Sequence, residues 1–525
     1  MKKIVFICII MLLLVGCGNV EPKRIPYEGN LDRIKSEIEA YESNISLEPV
    51  EETRTCRVDK YTLDLKLDVE KKQLNGTLLI DMTNETADSL EEICIRNYAV
   101  SILEKKGSSN ISKVTYVNEN LEKDLALEIK EDASVLYAKL EKPFVPQEKM
   151  KLRVEFTTDI PKKDYRFGYH EEGDKKSFVL SYCFPVIAMY EGGAWCEYPY
   201  ISHAESNYHT VTDYEVTFQT PKEYMVVATG EEETVDGITK ISGKGIRDLA
   251  IVASNYMKVE TIQMQGIDIN LYSLDYKNKE KYDEISLQAG KDSVNLLTEI
   301  VGPYPYEELD IVQCFYHSAM EYPGFILVGL PDAKSPEEID DNVSFSNTCS
   351  RILHEVAHQW FYGAVGNNPY MEAWLDESFA EYFEDFVYPY SGCESVKKAA
   401  ESDVTRGDSS LIWGYETEED MERLMNGKIE QLIDMNLDEN GKYVINAPYD
   451  SYVEGDSYSA HVYNGGATLL YELQREMGDG AFFHMLQEYY RVGYMREVTT
   501  EDFICVVKAF DDSEEVSAIL NKYLQ

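Results

Sequence analysis

Positive charge is what this sequence has least of. It carries 50 lysines and arginines against 95 aspartates and glutamates, a formal net charge of −45 over 525 residues. Nucleic-acid binding rests on cationic contacts to phosphate, so no nucleic-acid partner is expected, and anionic lipid surfaces repel such a chain. Histidine is scarce, at eight. The absence of any C-x-x-C pair excludes a cysteine zinc site. Past the N-terminus no apolar run approaches eighteen residues, so no further membrane-spanning helix is expected. No internal repeat is visible. Apolar material is not lacking: 44% of residues are hydrophobic and 12% aromatic, mostly Tyr. That composition excludes global disorder, and the length predicts two or three domains.

Residues 1–17 read as a signal rather than as part of the fold. Lys2 and Lys3 precede a twelve-residue apolar run, Ile4 to Val15, too short to span a bilayer. The run closes on Leu14-Val15-Gly16-Cys17, which resembles the bacterial lipobox. That resemblance implies cleavage before Cys17, lipidation of its thiol, and anchoring on the extracytoplasmic side of a membrane in a bacterial cell envelope. Residues 18–55 are polar and read as a tether with a loosely held arm, in which 31–43 predict a short helix. With Cys8 removed and Cys17 lipidated, eight cysteines remain, and Cys183 and Cys196 are the closest plausible disulfide pair.

From 56 to 258 the pattern is that of an antiparallel β domain. YTLDLKLDV (61–69) alternates polar and apolar residues, TLLIDMTN (77–84) follows a turn predicted at Asn75-Gly76, and similar runs lie at 151–158, 177–184, 213–220, 224–230 and 247–254. From 259 the texture changes. Residues 281–302 space Ile285, Ala289, Val294, Leu297 and Ile300 as one helical stripe. Strands are predicted at 310–316 and 325–330, and mainly helix from Asn347 onward, interrupted by an acidic insertion at about 401–460.

Within RILHEVAHQW (351–360), His354 and His358 stand at i and i+4, neighbours on one helical face as two ligands of one metal must be. Glu355 is rotated by about 100° from His354, so it does not join them but reaches a water in the open coordination position. Three protein ligands and an open position make a hydrolytic zinc site. Glu377, separated from His358 by eighteen residues and lying in AWLDESFAEYF (373–383), is the candidate third ligand at the start of a second amphipathic helix.

HEVAHQWFYGAVGNNPYMEAWLDESFAEYF (354–383) resembles the zinc aminopeptidases of the aminopeptidase N type, within the gluzincin metallopeptidases, whose signature is H-E-x-x-H, eighteen residues, then Glu in W-L-[DN]-E. SAMEYPG (318–324) stands where that family carries its G-x-M-E-N-type motif, and 461–490 resembles the region of its catalytic tyrosine. The resemblance covers about 55–525. It implies an α+β multidomain protein: an N-terminal antiparallel β-sandwich or saddle, then a thermolysin-like, mainly helical catalytic domain at 259–525. It implies one Zn²⁺ per chain held by His354, His358 and Glu377, with Glu355 as general base. Tyr463, before Asn464-Gly465-Gly466, is the oxyanion donor it implies, with Tyr458 second. Ala319, Met320 and Glu321 would bind the substrate, Glu321 taking its free α-amino group. The family's Asn is Tyr322 here, expected to narrow the entrance or to stack on the substrate. The second amine-binding group that many members carry in the β domain has no clear match. Many members continue into a helical-repeat domain for which this chain leaves no room, which opens the question of an exposed active site.

The expected function is zinc-dependent removal of N-terminal residues from peptides. The alternatives are an endopeptidase and an inactive peptide-binding or scaffolding lipoprotein of the same fold. The intact Glu355 argues against the last, because a binding protein needs no general base beside its metal.

Overall fold

The computed structural model describes residues 31–102, 109–119, 121–163, 165–202, 204–205, 207–275, 279–315, 318–330, 345–406, 427, 444–452 and 455–524. The signal, Cys17 and most of the acidic insertion lie outside the described residues.

The alternation read at 61–69 produces the long strand Cys56–Asp68, which buries Tyr61, Leu63, Leu65 and Leu67 on one face. It lies in an eight-stranded sheet beside Gln73–Asn84, whose Leu78 and Ile80 meet the same core, and Lys149–Asp159 follows. Two four-stranded sheets, built on Lys175–Leu180 and on Leu90–Arg96, complete the N-terminal layers. The large sheet is not wholly antiparallel. Cys56–Asp68 pairs in parallel with Thr212–Gln219, because a long excursion through the smaller sheets returns the chain in the same direction.

Asn75-Gly76 is not a turn. Both residues pair within the strand Gln73–Asn84, and the chain reverses earlier, where Lys72 takes a φ of 55°. Gly76 is there for space: a Cβ would stand 2.3 Å from the Phe156 ring and 2.9 Å from Leu65. The Cys183–Cys196 disulfide is also absent. All eight described cysteines are free, and Cys183 is packed in the core between the sheets while Cys196 follows the short hairpin strand Ala194–Trp195.

The change of sheet comes at 255–256. Ile251–Ser254 is the last strand of the N-terminal layers, and Met257–Met264 opens a five-stranded sheet. That sheet runs Met257–Met264, Ile267–Leu274, Glu308–Cys314, Phe325–Gly329, with Ala319–Met320 on its edge. The helix Lys279–Ile300 makes the right-length crossover between parallel strands and buries the predicted stripe. Helices follow from Phe345 to Tyr523, among them Phe345–Ala357, Trp374–Tyr382, Gly466–Met477 and Asp479–Gly493.

The arm is not loosely held. The helix Leu31–Ala40 lies along Asp479–Gly493: Arg33 pairs with Asp479 at 2.8 Å, and His484 Nε2 approaches the Ile38 carbonyl at 2.9 Å. Further on, the Val50 amide donates to the Val492 carbonyl at 2.9 Å. Ile34, Ile38, Leu47 and Val50 supply the apolar contact that orders this segment.

Two polar features join the layers. The buried Arg247 donates through Nε to the Tyr362 carbonyl at 2.8 Å and through Nη2 to the Arg496 carbonyl at 3.0 Å, and it pairs with Glu497. This pin holds the loop just after His358 against the N-terminal layers. The second is a group of carboxylates, Glu232, Glu308 and Asp310, where Tyr272 donates to Glu232 at 3.3 Å and Asn270 to Asp310 at 2.9 Å. Burial, then the charge of Glu308, pushes Glu232 up to about 8 from 4.5. The folded protein therefore holds a proton that the unfolded chain releases above 4.5. The stability this gives is complete below 4.5 and is lost as pH rises to about 8. Glu232→Gln is expected to be more stable than the parent at pH 8, with a smaller difference at pH 5. Urea midpoints at both pH values check this, and an equal difference at the two would contradict it.

Candidate metal centre and active-site cleft

The helix Phe345–Ala357 buries Ile352, Leu353 and Val356 and turns His354 and Glu355 toward a cleft. His358 lies one residue past its end, yet its amide still reaches the His354 carbonyl at 3.4 Å, so the i, i+4 spacing survives. Trp374–Tyr382 carries Glu377 in its first turn. The two meet so that Glu377 Oε2 lies 3.3 Å from His354 Nε2 and 3.3 Å from His358 Nε2, with all three ligand atoms within 4.8 Å of one another.

The outer nitrogens of both imidazoles are held. His354 Nδ1 stands 3.0 Å from Glu384 Oε2, and His358 Nδ1 stands 3.1 Å from the Phe361 carbonyl. With acceptors at Nδ1, the Nε2 lone pairs point inward together, the arrangement that orients metal-ligating histidines. Burial alone would raise Glu377, but its contacts with the two histidines hold it well below the usual carboxylate range. It is therefore an anion aimed at the centre. Two imidazoles and one carboxylate suit zinc, and three protein ligands leave a position open. Glu355 stands alongside with Oε2 buried and without a partner. Burial pushes it up to about 7, where a carboxyl can both take and return a proton. The donor set and the orphaned oxygen together fit a catalytic zinc.

Tyr463 lies on a π-helical turn, Ala460–Gly465, a geometry that recurs at functional sites. Its hydroxyl donates to Glu377 Oε1, and its ring lies parallel to that of His354 at 6.0 Å. The Gly-Gly pair after it has a steric reason. A Cβ on Gly466 would fall 1.7 Å from Ser378 Oγ, the hydroxyl beside Glu377 that donates to the Val462 carbonyl at 2.6 Å. Only glycine lets the Tyr463 turn seat against the Glu377 helix. Tyr458 is buried among Tyr449, Tyr452 and Tyr463 and does not line the cleft.

The cleft is a cavity of about 510 Å³, lined by His354, Glu355, His358, Glu377 and Tyr463 and by Ala319, Met320 and Glu321. Ala319–Met320 is the edge strand, with no strand paired on the side away from Phe325–Gly329 among the described residues. Glu321 falls within 4.8 Å of Glu355 and His358. Burial, followed by the nearby Glu355, raises it well above the ordinary value. Tyr322 neither narrows the entrance nor faces a substrate. It is 1% exposed and packs edge-on to Phe325, because Gly324 turns the chain at a φ of +69° and Gln359 binds the Tyr322 carbonyl at 3.3 Å.

Four charged lining residues were not singled out from the sequence: Arg166, Glu205, Arg351 and Glu384. Glu384 stands seven residues after Glu377, two turns along the same face, so its signal was present. Glu205 comes from a loop of the N-terminal layers, pairs with Arg166 and accepts from Tyr182. No local pattern marks it.

Residues 296–523 match the family described as Peptidase family M1 domain. Among curated proteins, the chain is 22% identical over 376 residues to Aminopeptidase M1 of Arabidopsis thaliana, covering 70% of this chain and 39% of that one. It is 26% identical over 236 residues to Leucine aminopeptidase 2 of Yarrowia lipolytica, covering 43% and 32%. The chain thus spans under two fifths of these relatives' length. The crystal structure of an M1 zinc metallopeptidase from Deinococcus radiodurans superposes with a TM-score of 0.56 at 16% identity, covering 90% of this chain and 94% of that one. A sheet-rich N-terminal region leads into the helical one across that shared fold, and in the helical region, residues 296–523, the chain is similar to the peptidase family M1 domain.

Proposed function

We propose that this protein is a zinc aminopeptidase that removes N-terminal residues from peptides. One observation carries the reading: His354, His358 and Glu377 converge on one point beside the unpartnered Glu355 oxygen, in a cleft that also holds Glu321. The aminopeptidases among its relatives support it, as does a variant of the Deinococcus radiodurans enzyme bound to the tripeptide Tyr-Ser-Ala.

His354, His358 and Glu377 would hold one zinc. Bound there, it supplies Lewis acidity toward the peptide carbonyl and toward water. Glu355 takes the proton from the attacking water and passes it to the departing amine. Tyr463 turns its hydroxyl from Glu377 to the oxygen on which charge develops. The edge strand Ala319–Met320 offers backbone groups to an extended substrate. Glu321 and Glu205 place two carboxyl groups at one end of the cleft, which suits the α-ammonium of a free N-terminus. The Lys2-Lys3 start, the apolar run and Leu14-Val15-Gly16-Cys17 support a lipid anchor at Cys17 on the outer side of a bacterial membrane.

Aminoacyl-chromophore substrates, with and without chelator, test the reaction, and acetylated peptides test the chain-end requirement. Acetylation is expected nearly to eliminate cleavage. Glu321→Ala is expected to weaken transition-state binding of free-amine substrates by about 2–4 kcal/mol, roughly 30- to 1000-fold in kcat/KM. Equal cleavage of acetylated and free peptides would make Glu321 a structural acid and the protein an endopeptidase.

A further inference from the structure

The cleft contains two guanidinium groups, and they are in opposite situations. Arg166 is 2% exposed and committed: it pairs with Glu205 and donates to the carbonyls of Ser202 and Ala204, at 3.4 and 3.2 Å. Arg351 lines the same cavity, is partly buried, and has no hydrogen bond or ion pair among the described residues. In a chain with 95 acidic side chains an arginine without one is conspicuous. Two acids of the same cleft are already engaged: Glu384 accepts from Ser350 and lies on His354 Nδ1, and Glu205 pairs with Arg166.

Its place along the helix indicates what it faces. Arg351 precedes His354 by three residues and Glu355 by four, so it shares their face one turn toward the helix start. Glu321 belongs to the other end, grouped with Glu355 and His358. From Arg351 to His358 the helix rises about 10 Å, at about 1.5 Å per residue. A peptide with its ammonium at Glu321 and its first peptide bond over the three ligands therefore sends its departing part toward Arg351. One extended residue spans about 3.5 Å, so a group one or two residues past the bond comes within reach of the guanidinium. Planar forked N–H donors with no partner are matched by a carboxylate.

We propose that Arg351 is a specificity-determining residue that binds a carboxylate one or two residues beyond the cleaved bond. This rests on the aminopeptidase reading of the site. The carboxylate has two sources: the C-terminal α-carboxylate of a very short peptide, or an acidic side chain following the bond. With Glu321 selecting a free amine at one end, the cleft then discriminates at both ends.

The zinc-loaded protein would be assayed with Leu-Ala against Leu-Ala-amide, and with Leu-Asp-amide against Leu-Asn-amide. The first pair reads the terminal carboxylate and the second the side chain. In at least one pair the acid is expected to be favoured by about tenfold or more in kcat/KM, chiefly through KM, with the preference shrinking as salt rises. Arg351→Gln is expected to bring that ratio toward one, and Arg351→Lys to restore part of it, which a merely structural role would not do. Ratios near one in both pairs, or a ratio unmoved by Arg351→Gln, would overturn the inference while leaving the aminopeptidase reading intact. If none of the four is hydrolysed with zinc bound, both readings fall together.

Discussion

Glu355→Gln should leave zinc bound at one per chain and lower kcat by roughly a thousandfold or more. The substitution keeps the volume of a side chain that is 7% exposed, and it leaves His354, His358 and Glu377 untouched. What it removes is the ability to accept a proton. Glu355 is suited to that task because burial, opposed by the neighbouring histidines, brings it up to about 7, close to neutrality. Glutamine has no such titration. Most of the loss should appear in kcat, since the proton moves only as the bond is broken. Metal analysis, single-turnover rates and thermal melts on one preparation separate loss of base from loss of metal or fold. Normal turnover in a zinc-loaded Gln variant would sink the mechanism.

Tyr463→Phe should be the next most damaging change, with kcat lower by roughly 100- to 1000-fold and KM affected less. Phenylalanine preserves the ring parallel to His354 and removes only the hydroxyl that donates to Glu377. Burial, and then the negative charge of Glu377, raise the Tyr463 hydroxyl well above its ordinary value. It is therefore neutral at every working pH and always able to donate. Tyr458→Phe is the control, since that ring packs among Tyr449, Tyr452 and Tyr463 outside the cleft lining and its loss should be small. The reverse pattern would move the role to Tyr458.

Local rules determined a good deal of this protein from sequence alone. The period-two alternation of 61–69 and the period-3.6 stripe of 281–302 depend only on which residues must face away from water. They produced the strand Cys56–Asp68 and the helix Lys279–Ile300 within a few residues. His354 and His358 share a face for the same reason. Glu377 was legible through its spacing and the W-L-D-E setting, because helix and ligand are adjacent in the chain. Tertiary structure decided whatever depends on segments far apart. Gly76 signals a turn by its neighbours, yet it lies within a strand because Phe156, eighty residues away, occupies the space a side chain would need. Tyr322 turns inward because Gln359 and Phe325 hold it there. The arm at 31–55 is polar enough to read as a tether, and it docks only because Asp479–Gly493 offers it Asp479 and an apolar groove. Glu205 enters the cleft from the N-terminal layers, and Arg351 has no partner among the described residues while Glu384 is committed to Ser350 and His354. Periodicity records which face of an element is buried, but which distant side chain meets it there is set by packing, and in this cleft that packing supplies the ionisable groups at both ends.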